Sequence, residues 1–101
     1  MSLLGKLFGM KSVDFKQLVK DGAVIVDVRT LGEFQGGHIK GSVNLPLQSL
    51  QGSLGKIPKN KIVITCCASG MRSASAKSLL KSACYTEVHN GGGWMSLKSK
   101  I

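Results

Sequence analysis

Acidic residues are scarce in this chain of 101 residues: 5 Asp plus Glu stand against 14 Lys plus Arg, for a formal net charge of +9. Either the lysines form a plain solvated face, or they raise the encounter rate with small anions or an acidic protein. Aromatics are also few, with one Trp, one Tyr and three Phe. They are not interleaved with the basic residues as stacking platforms would be, so the charge does not read as a nucleic-acid site. The three cysteines are an odd number at unrelated spacings, with two adjacent and no C-x-x-C pair. That implies neither a disulfide framework nor a zinc site. Free thiols suit a reducing compartment, and a cytoplasmic location is expected. No apolar run approaches the ~20 residues of a membrane span.

Residues 1–10 have an early lysine only after the leucines, and they lack the apolar centre and cleavage site of a signal peptide. They read as an N-terminal extension in which Leu3, Leu4, Leu7 and Phe8 share one helical face. Residues 11–101 read as one domain, without repeats and large enough to bury a core.

Periodicity orders the rest. Ser12 is a plausible N-cap for a helix carrying Phe15, Leu18 and Val19, ended by Gly22. Ala23 to Val28 is apolar and β-branched except at Asp27, as a central parallel strand with both faces covered would be. Leu31 to Gln35 suggests a short helix with Phe34 as its anchor, broken by Gly36-Gly37. Ser42 to Leu45 suggests a brief strand closed by Pro46, followed by a short helical stretch with Leu47, Leu50 and Leu54. Lys61 to Cys66 is a second strong strand. Ala76, Leu79, Leu80, Ala83 and Cys84 then mark one apolar helix face, which puts Cys84 in the core. Glu87-Val88-His89 reads as a last strand, followed by a glycine turn and a helical turn around Trp94, Met95 and Leu97. Strands alternating with helices imply a parallel sheet with right-handed crossovers.

The chemistry concentrates in Thr65-Cys66-Cys67-Ala68-Ser69-Gly70-Met71-Arg72-Ser73. Here a strand ends, a loop of small residues turns, and a helix begins. The first N–H groups of a helix have no intrahelical partner and can point at an anion. Such a site lowers a thiol pKa and stabilises negative charge on sulfur. Cys67 is therefore the candidate nucleophile, with Ala68, Ser69, Gly70, Met71 and Arg72 as its cradle. Arg72 is read either as a contact for an anionic substrate or as an ion-pair partner of Asp27 or Glu33. Cys66, one residue earlier, points to the opposite face if it still belongs to the strand, and reads as a buried filler in preference to a resolving thiol.

Three stretches resemble a known family, in its order. Cys67-Ala68-Ser69-Gly70-Met71-Arg72-Ser73 fits the C-x-x-G-x-R-S active-site loop of the rhodanese family of sulfurtransferases. Asp27-Val28-Arg29, Glu33-Phe34, Gly37-His38-Ile39, Gly41, Asn44 and Pro46 fit its D-V-R-x-x-x-E-F-x-x-G-H-I-x-G-x-x-N-x-P pattern. Asn90-Gly91-Gly92-Gly93-Trp94 resembles its C-terminal Gly-Gly and Trp signature. The resemblance implies a three-layer α/β fold with about five mostly parallel strands flanked by helices. It implies that residues 11–101 are a rhodanese-like domain and that Cys67 carries a persulfide. Thiosulfate would be the sulfur donor, and cyanide or a thiol, for example on a thioredoxin-like protein, the acceptor. No metal, organic cofactor, nucleic acid or membrane is implied, and a monomer is expected. Asp27, Arg29, Glu33 and Ser73 are expected to support the loop, the first three as a salt-bridge cluster. His38 reads as a hydrogen-bonding turn residue, His89 has no assigned role, the glycine run is backbone punctuation, and Trp94 is core.

Two other functions compete. In one, the domain is a persulfide carrier or docking module without efficient turnover of its own. In the other, the loop is counted from Cys66 and spells C-x5-R, the spacing of related cysteine phosphatases and arsenate reductases. That family pattern has a His before its cysteine where this chain has Thr65.

Overall fold

The computed structural model describes residues 13–101. The expected extension over 1–10 and the Ser12 cap lie outside the described residues. Helix α1 (Phe15–Lys20) is capped by Asp14, whose carboxylate accepts from the Gln17 N–H at 3.1 Å. The chain leaves α1 through a tight turn in which the Ala23 N–H reaches back to Leu18 O at 3.0 Å. Gly22 sits in that turn at φ 97°, a left-handed geometry that glycine adopts without strain.

Strands β1 (Val24–Asp27), β2 (Val43–Asn44), β3 (Val63–Cys67) and β4 (Val88–Gly93) form one parallel sheet in the order β2-β1-β3-β4. Among the described residues these four make up the sheet, against the about five that the resemblance implies, and β4 runs on through Gly91, Gly92 and Gly93, where a turn is expected after His89. Two of them, β1 and β3, are buried on both faces, which is why their sequences are continuously apolar. Side chains alternate between two cores. Val26, Val63 and Cys67 join Val28, Leu50, Ala76, Leu80 and Tyr85 on one side. Ile25, Ile64 and Cys66 join Phe15, Ile39 and Leu97 on the other. The first core is covered by α3 (Met71–Ser82) and a 3₁₀ segment (Leu47–Lys56), the second by α1 and α4 (Trp94–Lys98). A short helix, α2 (Leu31–Gln35), follows β1.

This order fixes where a site can form. From β1 the chain adds β2 on one side and then crosses back to add β3 on the other. The connections thus diverge above the carboxyl ends of β1 and β3, the place where open α/β sheets leave a crevice. Asp27 ends β1 and Cys67 ends β3.

The expectation for Cys84 fails. Cys84 is exposed, not part of the core. The helix stops at Ser82, and the Tyr85 N–H bonds back to Leu80 O at 3.1 Å, the same turn that Gly22 makes after α1. Cys84 fills the glycine position of that turn at φ 74°. Tyr85 takes the buried place instead, and its hydroxyl lies 2.9 Å from Leu54 O and 2.7 Å from Ile57 O, anchoring the 3₁₀ segment. A side chain held in left-handed backbone is strained, so Cys84→Gly is expected to stabilise the fold by about 1 kcal/mol. The measurement is the urea midpoint at unchanged slope; a lower midpoint would contradict the assignment of strain.

Candidate functional site

Strand β3 carries Cys67 to the floor of the crevice, where the residue is only 1% exposed. Two backbone donors close on its sulfur: the Gly70 N–H at 3.0 Å and the Ser73 N–H at 3.3 Å. Gly70 is the N-cap of α3, at φ 105° and without a side-chain cap bond. The free amides at the start of the helix are thereby turned onto the sulfur. Burial pushes the Cys67 thiol up, but donors from the Ser73 hydroxyl and the Ser73, Gly70 and Ser69 amides outweigh it, and the pKa falls below the ordinary thiol value. The rim is formed by exposed Ala68, Ser69 and Met71.

Cys66 faces the opposite core, as strand alternation requires. Burial, with the Asp27 carboxylate beside it, pushes its thiol up to about 12. It is a packed thiol, not an ionised one, at neutral pH.

The expected cluster of Asp27, Arg29 and Glu33 resolves into two separate ion pairs. The first is buried: Arg29 Nη2 lies 2.7 Å from Asp27 Oδ2 and Nε 2.9 Å from Oδ1. Its remaining donors go to Glu33 O at 3.2 Å and Gly37 O at 2.7 Å, and the guanidinium lies 4.7 Å from the centre of the Trp94 ring. Arg29 therefore ties the end of β1 to α2 and α4. The second pair is bidentate, with Arg72 Nη1 and Nη2 at 2.8 and 3.0 Å from the Glu33 carboxylate. Glu33 also completes a capping box at the start of α2, accepting from the Thr30 N–H at 3.0 Å. Of the two readings of Arg72, the geometry gives the ion pair with Glu33. Arg72 also lines a mostly apolar cavity of about 170 Å³ with Val28, Thr30, Pro46, Leu47 and Gln48.

Several residues gain supporting roles that sequence reasoning did not assign. Asn44 donates to Asp27 O at 3.0 Å and Arg29 O at 2.9 Å, pinning the chain as it leaves β1. Buried Thr65 donates to Ser73 O at 2.9 Å, tying α3 to β3. Asn90 accepts from the Ser73 hydroxyl at 2.6 Å. The glycine run does more than punctuate: a Cβ on Gly93 would stand 2.8 Å from Ala68 O, and one on Gly91 would stand 2.9 Å from Thr65 O. The cradle loop rests directly on bare backbone. His38 is the turn residue expected, with Nδ1 2.7 Å from Phe34 O and its ring stacked on Phe34. His89 lies 3.0 Å from Glu87. Among the described residues no three His, Cys, Asp or Glu side chains converge as a metal site would need.

Arg72 and the Thr30 amide hold the Glu33 carboxyl at about 2, below its ordinary 4.5. A depressed carboxylate stabilises the fold above the unfolded pKa, and that contribution is lost as pH falls through the folded value. Stability attributable to Glu33 should therefore be complete above pH 4.5 and drain away toward about pH 2. Urea midpoints of wild type and Glu33→Gln are expected to converge over that window; parallel curves would contradict the ion pair.

Comparison with known proteins agrees with this geometry. The family model of the rhodanese-like domain matches residues 12–100. An uncharacterised protein, YqhL of Bacillus subtilis, is 40% identical over 80 residues, covering 78% of this chain and 64% of that protein. The thiosulfate sulfurtransferase PspE of Escherichia coli is 36% identical over 70 residues, covering 67% of each chain. The chain thus spans about two thirds of the length of these curated relatives. A solved structure described as a rhodanese with anions from Escherichia coli superposes with TM-score 0.66 at 31% identity, over 74% of this chain and 91% of that one. With a family match running from the residue before the described chain almost to its last residue, this protein belongs to the rhodanese-like domain family.

Proposed function

We propose that the protein is a sulfurtransferase that moves a sulfane sulfur through a persulfide on Cys67. The observation that carries this reading is the ring of N–H donors around the Cys67 sulfur, at 3.0 Å from Gly70 and 3.3 Å from Ser73. Such a ring favours thiolate over thiol, and it favours an anionic persulfide for the same reason that an oxyanion hole favours oxyanions. Thiosulfate is the donor we propose. The Cys67 thiolate attacks its outer sulfur, a new S–S bond forms, the old one breaks, and the bonding pair leaves with sulfite. Cyanide or a thiolate then attacks the terminal sulfur, takes it as thiocyanate or a new persulfide, and returns Cys67 to the thiolate. No proton needs to be removed by a base, so neither histidine enters the cycle.

The C-x5-R phosphatase reading finds little support. Its nucleophile would be Cys66, which is fully buried in the core opposite Cys67 with its thiol pushed up to about 12. The carrier reading shares the chemistry at Cys67 and differs only in turnover.

Intact mass before and after thiosulfate tests the first half-reaction. Wild type and Cys66→Ser should each gain one sulfur that cyanide removes, and Cys67→Ser should gain none. Steady turnover of thiosulfate and cyanide, with the parallel double-reciprocal lines of a two-step exchange, should fall by at least about 10³-fold in Cys67→Ser. Sulfur uptake without turnover would assign the carrier role. Uptake by Cys67→Ser but not by Cys66→Ser would overturn the assignment of Cys67.

A further inference from the structure

Ser73 is fully buried beside the sulfur, and its hydroxyl has one proton and three acceptors within reach. These are Asn90 Oδ1 at 2.6 Å, Gly70 O at 3.1 Å and Cys67 Sγ at 3.4 Å. The Asn90 amide is itself fixed. Its Oδ1 accepts from the Gly92 N–H at 2.9 Å, and its Nδ2 donates to Gly70 O at 3.3 Å. A flipped amide would set an NH₂ group against the Gly92 N–H, so the carbonyl side must face Ser73. The shortest of the three bonds therefore draws the Ser73 proton toward Asn90 and turns a hydroxyl lone pair toward the sulfur. That arrangement accepts an S–H from a neutral thiol. It does not serve a thiolate or a persulfide, each of which needs the hydroxyl proton turned toward it.

We infer that Asn90 is a positioning residue that competes with the Cys67 sulfur for the Ser73 proton, and so sets how readily the thiolate and its sulfur adduct form. It never touches the reacting atoms and acts only through Ser73. When Cys67 ionises, the Ser73 hydroxyl rotates from Asn90 Oδ1 to the sulfur, and Asn90 keeps the Gly92 N–H as its remaining donor. No proton leaves Ser73 in this exchange; the proton released is that of the thiol. Of the charged groups around the sulfur, Arg72 attracts the thiolate coulombically, but its guanidinium bonds to Glu33 and not to Ser73. Arg72 on α3 is held by Glu33 of α2, Asp27 of β1 is held by Arg29, and Cys66 on the same strand faces away. On β4 the pairing partners of Thr65 and Cys67 are Asn90 and Gly93, neither of them titratable.

The inference rests on Cys67 being the sulfur-accepting residue, but its test does not. The pH dependence of Cys67 alkylation by iodoacetamide, located by peptide mass, reads ionisation whether or not sulfur is ever transferred. Asn90→Ala should lower the alkylation midpoint by about 0.5–1 pH unit, the equivalent of one hydrogen bond returned to the thiolate. In a Ser73→Ala background the same substitution should leave the midpoint unmoved. The near-isosteric Asn90→Asp, a stronger acceptor, should raise the midpoint, and by more with Ser73 present than in the Ser73→Ala background. A rise or no change in Asn90→Ala, or equal shifts in both backgrounds for either variant, would overturn the inference. Failure of thiosulfate to load wild-type Cys67, with these shifts intact, would count against the proposed function alone.

Discussion

The Cys67 sulfur sits in a place nearly closed to water, where an anion can form only if donors are aimed at it, and much of the surrounding structure bears on that constraint. Cys67 is 1% exposed, so its charge costs desolvation energy that only donors aimed at the sulfur can offset. The donors are backbone amides, and backbone amides can be aimed only by fixing the chain that carries them. Gly70 takes a left-handed turn to present its own N–H and open α3. Thr65 holds the carbonyl of Ser73. The bare backbone of Gly93 lets β4 come up under Ala68, where any side chain would collide. Each is a condition on where two or three N–H vectors point.

The ion pairs serve the same end at a distance. Removing one member of a buried pair such as Asp27–Arg29 typically costs about 3–5 kcal/mol, because the other charge is left alone. Arg29 commits its donors to Asp27, Glu33 O and Gly37 O, which locks the crevice wall opposite the loop. Glu33 caps α2 and holds Arg72. Both arginines of the chain are paired with carboxylates beside the site, so the excess of +9 comes from the lysines. The groups that lower the Cys67 thiol at contact distance are dipoles, and Arg72 adds a coulombic attraction from farther away. Dipoles fixed at contact distance are little screened by salt, whereas charge on a lysine-rich surface is.

Much of this was legible in the chain. The two β-branched runs mark the buried strands, and alternation along β3 separates Cys67 from Cys66. The cradle was legible because strand end, small residues and helix start are local features. Cys84 misled because helical spacing projects a face but not the residue at which the helix stops, and a cysteine occupied the turn position where α1 uses Gly22. The role of Asn90 was hidden for another reason. Its neighbour two residues on, Gly92, signals an Asx turn, but nothing local announces that the turn meets Ser73, 17 residues away. The same holds for Tyr85, whose partners Leu54 and Ile57 lie across a crossover. Pairings made by topology are not written in periodicity.

The most direct test of a sulfur anion held by backbone amides is to watch those amides while the sulfur ionises. In an NMR titration the amide protons of Gly70 and Ser73 should move downfield together, with one midpoint below the ordinary thiol value, and should stay flat in Cys67→Ser. The midpoint should barely change between low and high salt. Amides that do not respond to Cys67, or a midpoint that climbs steeply with salt, would contradict the account and return the stabilisation of the thiolate to charged side chains.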